Sequence, residues 1–259
     1  MILCLIVLLC VLAVCEPVHG CAQSGSKPLS GDYVVLIHGY GRTALSMKRL
    51  EWNLKKQGCH VINLNYHSSR LSVEALSETE LRPLLESLDR DPMARIHFVT
   101  HSLGAIILRQ YLSEHELKRL GRVVMLAPPN HGSAIVDHAR ASPFWRTFLG
   151  PALLELGTGP QDLPDKLGPV RFECGVIAGD RSLNPLLSGM LRGPNDGKVT
   201  VDSARIVGME DFLVVHNSHT WLMWRESNIR QILGFLETGH FRHGSAGEDS
   251  RETGVSHAL

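Results

Sequence analysis

Between residues 33 and 240 the chain alternates short, continuously apolar runs with longer stretches in which apolar residues return every three or four positions. Runs at 33–37, 60–64, 96–100, 123–126, 172–178 and 212–215 are rich in Val and Ile and predict strands covered on both faces. The stretches at 43–57, 73–89, 103–117 and 221–236 predict helices. Gly58 closes the first of these, where the chain needs a residue free to take positive φ. Ser72 starts the second, and Pro83 is expected to kink or split it. Strands alternating with helices predict an α/β class: a mostly parallel central sheet of about six strands, flanked by helices.

One region departs from this rhythm. Residues 135–169 lie between the fourth and fifth strands and carry Phe144, Trp145, Phe148, Leu149, Leu153 and Leu154, too apolar a set for a bare loop. Two expectations stand side by side: a core crossover helix, or a helical cap over the site. Pro143, Pro151 and Pro160 interrupt any single regular helix here.

The ends differ from the middle. Residues 1–15 are uncharged and apolar, Glu16-Pro17 breaks the run, and Val18-His19-Gly20 offers small residues ahead of Cys21. This predicts a signal peptide over 1–20 and a linker over 21–30, although the basic n-region is absent. The protein is therefore expected to be exported: periplasmic, secreted, or held at a membrane through its N-terminal segment, with Cys21 as a candidate lipid anchor. The α/β domain is expected over 31–240, and the Gly-, Ser-, Glu- and Arg-rich stretch 241–259 is expected to be disordered.

Charge narrows the function classes. Lys+Arg and Asp+Glu are equal at 26 each, so no basic footprint points to nucleic acid. A small-molecule ester or lipid is the expected partner. Of six cysteines, only Cys59 and Cys174 fall in the body of the chain, without metal-ligand spacing, and read as buried thiols. No cofactor or metal is expected.

The candidate chemistry begins at "THSLG", residues 100–104, on a corner between a strand and a helix. A serine there is lifted clear of the backbone at the carboxyl end of the sheet, where the next helix also points its first N–H groups. The usual pattern is G-x-S-x-G; Thr100 replaces the first glycine and Gly104 keeps the second. A serine hydroxyl needs a base, and the base needs an orienting acid, expected in the order Ser, Asp, His. Asp196 in "GPNDGKVTVDSA" and His219 in "VVHNSHTWLM" follow Ser102 in that order. His216 is the other candidate base, and Asp180, or Asp202, the other candidate acid; Asp180 could instead cap the following segment. "LIHGYGR" supplies a flexible strand exit in which the Tyr40 N–H, with the Leu103 N–H, is the expected donor pair for an oxyanion.

"HGYG", "THSLG", "NDGKV" and "HNSHTWL" together resemble the α/β-hydrolase superfamily, most closely its small lipase and esterase branch. "APPNHGS", residues 127–133, is similar to the loop that lipase-like members carry beside the pocket. The resemblance implies an α/β-hydrolase fold and a serine hydrolase that cleaves carboxylic esters through an acyl-enzyme. It also favours Asp196 over Asp180, because "DG-x-V" is similar to the acid loop of those lipases. An acyltransferase using the same residues, and a catalytically silent binding module on the same fold, are the alternatives.

Overall fold

The computed structural model describes residues 29–243. The expected signal peptide and nearly all of the linker and tail lie outside the described residues. Six strands, β1 (Tyr33–Ile37), β2 (His60–Leu64), β3 (Ile96–His101), β4 (Leu120–Leu126), β5 (Cys174–Gly179) and β6 (Asp211–Val215), form one sheet in the order β2-β1-β3-β4-β5-β6. Every pairing is parallel. Eleven α-helices among the described residues complete the chain. They are α1 (Lys48–Lys56), α2 (Val73–Leu76), α3 (Arg82–Leu88), α4 (Leu103–Glu114), α5 (Ala134–Ala141), α6 (Pro143–Phe148), α7 (Pro151–Leu154), α8 (Leu163–Lys166), α9 (Pro185–Gly189), α10 (Val201–Ala204) and α11 (Glu226–Thr238). None of the described helices is long and apolar enough to cross a membrane.

The continuously apolar strands are continuous because the sheet has two covered faces. In β1, Val35 and Ile37 pack with α2, α3 and α4, whereas Val34 and Leu36 pack with α1 and α11. The same alternation separates Val123 and Met125 from Val124 and Leu126 in β4. Each such side chain, fully withdrawn from water, contributes about 1.5–3 kcal/mol before chain entropy is counted. Cys59 and Cys174 are buried in these two layers, and burial pushes their thiols up to about 11 and about 12.

The helix expectations shift in informative ways. The segment 43–57 opens with a 3-10 turn, Ala44–Met47, before α1, and Gly58 follows at φ +80°. Ser72 accepts a hydrogen bond from the Ala75 N–H at 3.1 Å, capping α2. Residues 73–88 run without a break because a π turn, Ser77–Leu81, leads into α3 with Pro83 in its first turn. There the missing proline N–H costs little, so the helix is widened and not split. The last helix begins at Glu226 and not near residue 221: residues 219–224 are spent in turns, held by Asn228 Nδ2 donating to the Leu222 carbonyl at 3.0 Å.

Residues 135–169 form no single crossover helix. Their prolines divide them into α5, α6, α7 and α8. Leu153 and Leu156 pack inward against the main core, while Phe144 and Trp145 are 63% and 55% exposed. The buried Arg109 of α4 anchors the far end of the segment, donating to the Asn130 side chain at 3.0 Å and to the carbonyls of Pro164 and Gly168 at 3.0 and 2.7 Å.

Candidate active site

β1 and β3 end level with each other, Ile37 opposite Thr100. The loops leaving them therefore meet at one point on the carboxyl edge of the sheet. Ser102 occupies the corner between β3 and α4 at φ +52° and ψ −120°, a backbone conformation that costs a non-glycine residue on the order of 1–3 kcal/mol. Its N–H donates to the Leu126 carbonyl at 2.9 Å. The corner is possible because α4 starts against bare backbone: a Cβ on Gly104 would lie 2.5 Å from the Ile37 oxygen. Gly39 is required for the same reason, since a Cβ there would lie 2.8 Å from His101 Nδ1 and 3.1 Å from Ser102 Cβ. Thr100, in place of the usual glycine, is the last strand residue but one and is fully buried.

The loop from β5 delivers the acid. Gly197, at φ +94°, bends the chain so that Asp196 Oδ1 accepts from the N–H groups of Lys198 and Val199 at 2.9 and 2.8 Å. Its other oxygen, Oδ2, accepts from His219 Nδ1 at 2.7 Å, and both side chains are buried. The His219 N–H donates to the Asp196 carbonyl at 3.2 Å, so the two residues are tied twice. An ionised carboxylate only accepts, which places the imidazole proton on Nδ1 and leaves Nε2 with a free lone pair. Ser102 and His219 line the same cleft.

Asp180 and His216 form a separate pair, 2.9 Å apart, with His216 69% exposed. Asp180 does not cap the next helix; the Asn184 side chain does, accepting from the Leu186 and Leu187 N–H groups. Asp202 lies in the first turn of α10, away from the cleft lining. Of the expected oxyanion donors, Leu103 is the first residue of α4, so its N–H has no intrahelical partner. Tyr40 lines the cleft, and its hydroxyl accepts from the Gly150 N–H at 2.9 Å, joining the β1 loop to the inserted helices.

Several residues went unmarked in the sequence. His101 is buried, donates through Nε2 to the His219 carbonyl at 3.0 Å, and packs its ring 4.7 Å from that of His219. Burial, then the His219 ring and Arg42, hold it well below the usual histidine range, so it is neutral. Ser68 receives the Gly41 N–H at 2.9 Å, and the Tyr66 ring stacks on His38 at 4.2 Å, bracing the β1 loop from below. Arg42 and Lys198 line the cleft. Their positions inside the motifs "HGYGR" and "NDGKV" were the available signal, but a motif does not say which way its flanking cation turns.

The cleft has a cavity volume of about 170 Å³. Ile135, Val136, Leu149, Leu153, Leu156 and Leu187 make its wall, so the inserted helices supply most of the apolar surface facing Ser102. Among the described residues, potential metal-ligating atoms gather at Glu78, Glu114 and His115, remote from this cleft. Glu78 is already bonded to His115 at 2.6 Å and to Arg82 at 2.9 Å, so ion pairing accounts for that group.

Comparisons with known proteins agree with this architecture. The mature form of a lipase from Bacillus licheniformis superposes with a TM-score of 0.65 at 18% identity, over 82% of this chain and 94% of the lipase. The product of the lin2722 gene of Listeria innocua gives 0.56 at 17% identity, over 80% and 94%. A metagenomic carboxyl esterase gives 0.56 at 19%, over 76% and 67%. At these identities the likeness is one of fold. A search of the curated proteins finds no match. Residues 34–251 match the alpha/beta hydrolase family, and the chain belongs to that family.

Proposed function

We propose that the protein is a serine hydrolase that cleaves carboxylic esters through an acyl-enzyme. The observation that carries this reading is the buried His219–Asp196 bond of 2.7 Å, which leaves Nε2 of His219 as a proton acceptor in the cleft that holds Ser102. Lipase and carboxyl esterase neighbours of the same fold support it.

In this mechanism Ser102 Oγ attacks the ester carbonyl while His219 Nε2 takes the hydroxyl proton. Asp196 stabilises the imidazolium and keeps its orientation. The carbonyl oxygen gains negative charge and is received by the Tyr40 and Leu103 N–H groups; one such donor is worth about 3–4 kcal/mol in the transition state. Collapse of the tetrahedral species breaks the carbon–oxygen bond, and His219 returns its proton to the departing alcohol. Water then repeats the attack on the acyl-serine, with the same proton path in reverse. The chemistry needs no cofactor. The apolar wall from the inserted helices favours an acyl chain as the carboxylic portion.

The test is covalent labelling with a fluorophosphonate, combined with hydrolysis of p-nitrophenyl esters of increasing chain length. The folded chain should label at Ser102 and turn over these esters, and Ser102→Ala should do neither. Wild-type protein that stays unlabelled would discard the reading and favour a silent binding module.

A further inference from the structure

The cleft is electrically lopsided in a chain whose charges balance overall at 26 and 26. Two cations, Arg42 and Lys198, line it beside Ser102 and His219, and no carboxylate lines it. Among the described residues neither cation has a carboxylate within ion-pairing distance; Arg42 spends one N–H on Thr220 Oγ1 at 3.1 Å. Asp196, the acid nearest in chain to Lys198, already has both oxygens taken by His219 and two backbone N–H groups.

The two cations also press on each other. Burial first, and then repulsion from Arg42, hold the Lys198 ammonium below the ordinary lysine range, with Asp196 opposing the shift. Burial likewise lowers Arg42. Both cations help keep the neighbouring His101 neutral, so their fields meet where the nucleophile stands. Uncompensated cations held near each other are costly unless something anionic joins them. Among the described residues no carboxylate pairs with either, Asp196 acting on Lys198 only at longer range, and the position facing them is the one a substrate would fill.

We propose that the ester accepted by this site is an anionic amphiphile: an acyl chain lies along the wall made by Ile135, Val136, Leu149 and Leu153, and an oxyacid group close to the scissile bond is received by Arg42 and Lys198. This rests on the reading of Ser102 as the nucleophile of an ester hydrolase, and it narrows that reading to a substrate class. A guanidinium with most of its N–H fork unspent suits the paired oxygens of a phosphate or a carboxylate, and an ammonium adds a point charge to either. A neutral ester would leave both cations unanswered.

Binding separates this inference from the catalytic one. Octyl phosphate, octanoate and 1-octanol share a chain and differ in the head group, and none is an ester. Calorimetric titration of the full chain should show at least one of the two anions binding about tenfold or more tighter than octanol, with the advantage shrinking as salt rises from low to high. The larger of the two gains identifies phosphate or carboxylate as the preferred oxyacid. Arg42→Gln and Lys198→Gln should each cut the ratio of anion to octanol affinity several-fold, and Lys198→Arg should retain it. Lys198 keeps its backbone hydrogen bonds to Asp196 and Ser133 whatever its side chain, so its replacement keeps the comparison meaningful even if Arg42→Gln fails to fold. Equal affinity for all three compounds, or an anion advantage indifferent to both Gln substitutions, overturns the proposal. The fluorophosphonate result does not bear on either outcome: a chain that labels at Ser102 but shows no anion preference loses only the substrate class.

Discussion

Asp196 and Asp180 differ in what they hold, and a matched pair of substitutions separates them. Asp196 binds a buried imidazole, whereas Asp180 binds one that is 69% exposed. Replacing Asp196 by Asn keeps the shape but turns an acceptor into a donor toward His219 Nδ1. The imidazole proton then moves to Nε2, and the base facing Ser102 is lost. Ester hydrolysis should fall by roughly three to four orders of magnitude in Asp196→Asn. Asp180→Asn should stay within about twofold of wild type, because an exposed pair of this kind contributes little. Steady-state kinetics on one p-nitrophenyl ester decides between them, and a larger loss in Asp180→Asn than in Asp196→Asn would move the acid to Asp180. The nearly bare corner around Ser102 belongs to the same scale: Gly39 and Gly104 are there because a methyl group at either would strike His101 or the Ile37 carbonyl.

Among the elements, the far end of the inserted segment is held by an interaction that lies outside the cleft lining. Arg109, inside α4, gathers the Asn130 side chain and the carbonyls of Pro164 and Gly168. Burial draws its guanidinium down to about 10, still charged at neutral pH. Arg109→Met would fill much of the same volume and leave those acceptors buried without donors. The expected loss is about 2–4 kcal/mol of unfolding free energy, measured by urea titration, since several charge-assisted bonds go at once. A loss below about 0.5 kcal/mol would mean that the segment is anchored elsewhere, for example through Gly150 to the Tyr40 hydroxyl. Ser72 marked its cap by residue type alone, whereas Asn184, which caps α9 ahead of Pro185, went unmarked. Pro83 misleads as a breaker because a widened turn upstream turns it into a helix-start residue.

For the whole molecule, acid should destabilise the fold through a cluster at the amino edge of the sheet. His97 Nδ1 accepts the Arg122 N–H at 2.8 Å, and its Nε2 donates to Asp32 at 3.2 Å, with Arg95 bonded to the same carboxylate. Burial, then the Arg95 charge, lower His97 to about 4, against the pull of Asp32. An unfolded histidine takes up its proton near pH 6.5, so between 6.5 and about 4 the unfolded chain binds more protons. The stabilisation is therefore complete above pH 6.5 and is lost as pH falls toward 4. Urea titrations across this window should show a declining midpoint in wild type and a flatter profile in His97→Gln; parallel profiles would remove His97 as the cause. The strands were readable from the sequence to within one or two residues at most of their ends, because a doubly covered strand must be continuously apolar and that is a local property. His219 with Asp196 was the expected pair, on chain placement and on the resemblance, and the structure joins these two and leaves His216 with Asp180. The meeting of Arg42 with Lys198 at one cleft was not readable. The sequence by itself determined the elements, their apolar faces and the sharp corner at Ser102, since these follow from periodicity and backbone sterics over a few residues. Only the tertiary structure decided which loops converge, because the strand order β2-β1-β3-β4-β5-β6 brings the ends of β1, β3, β5 and β6 to one edge, and burial there selects one pair of charges over another.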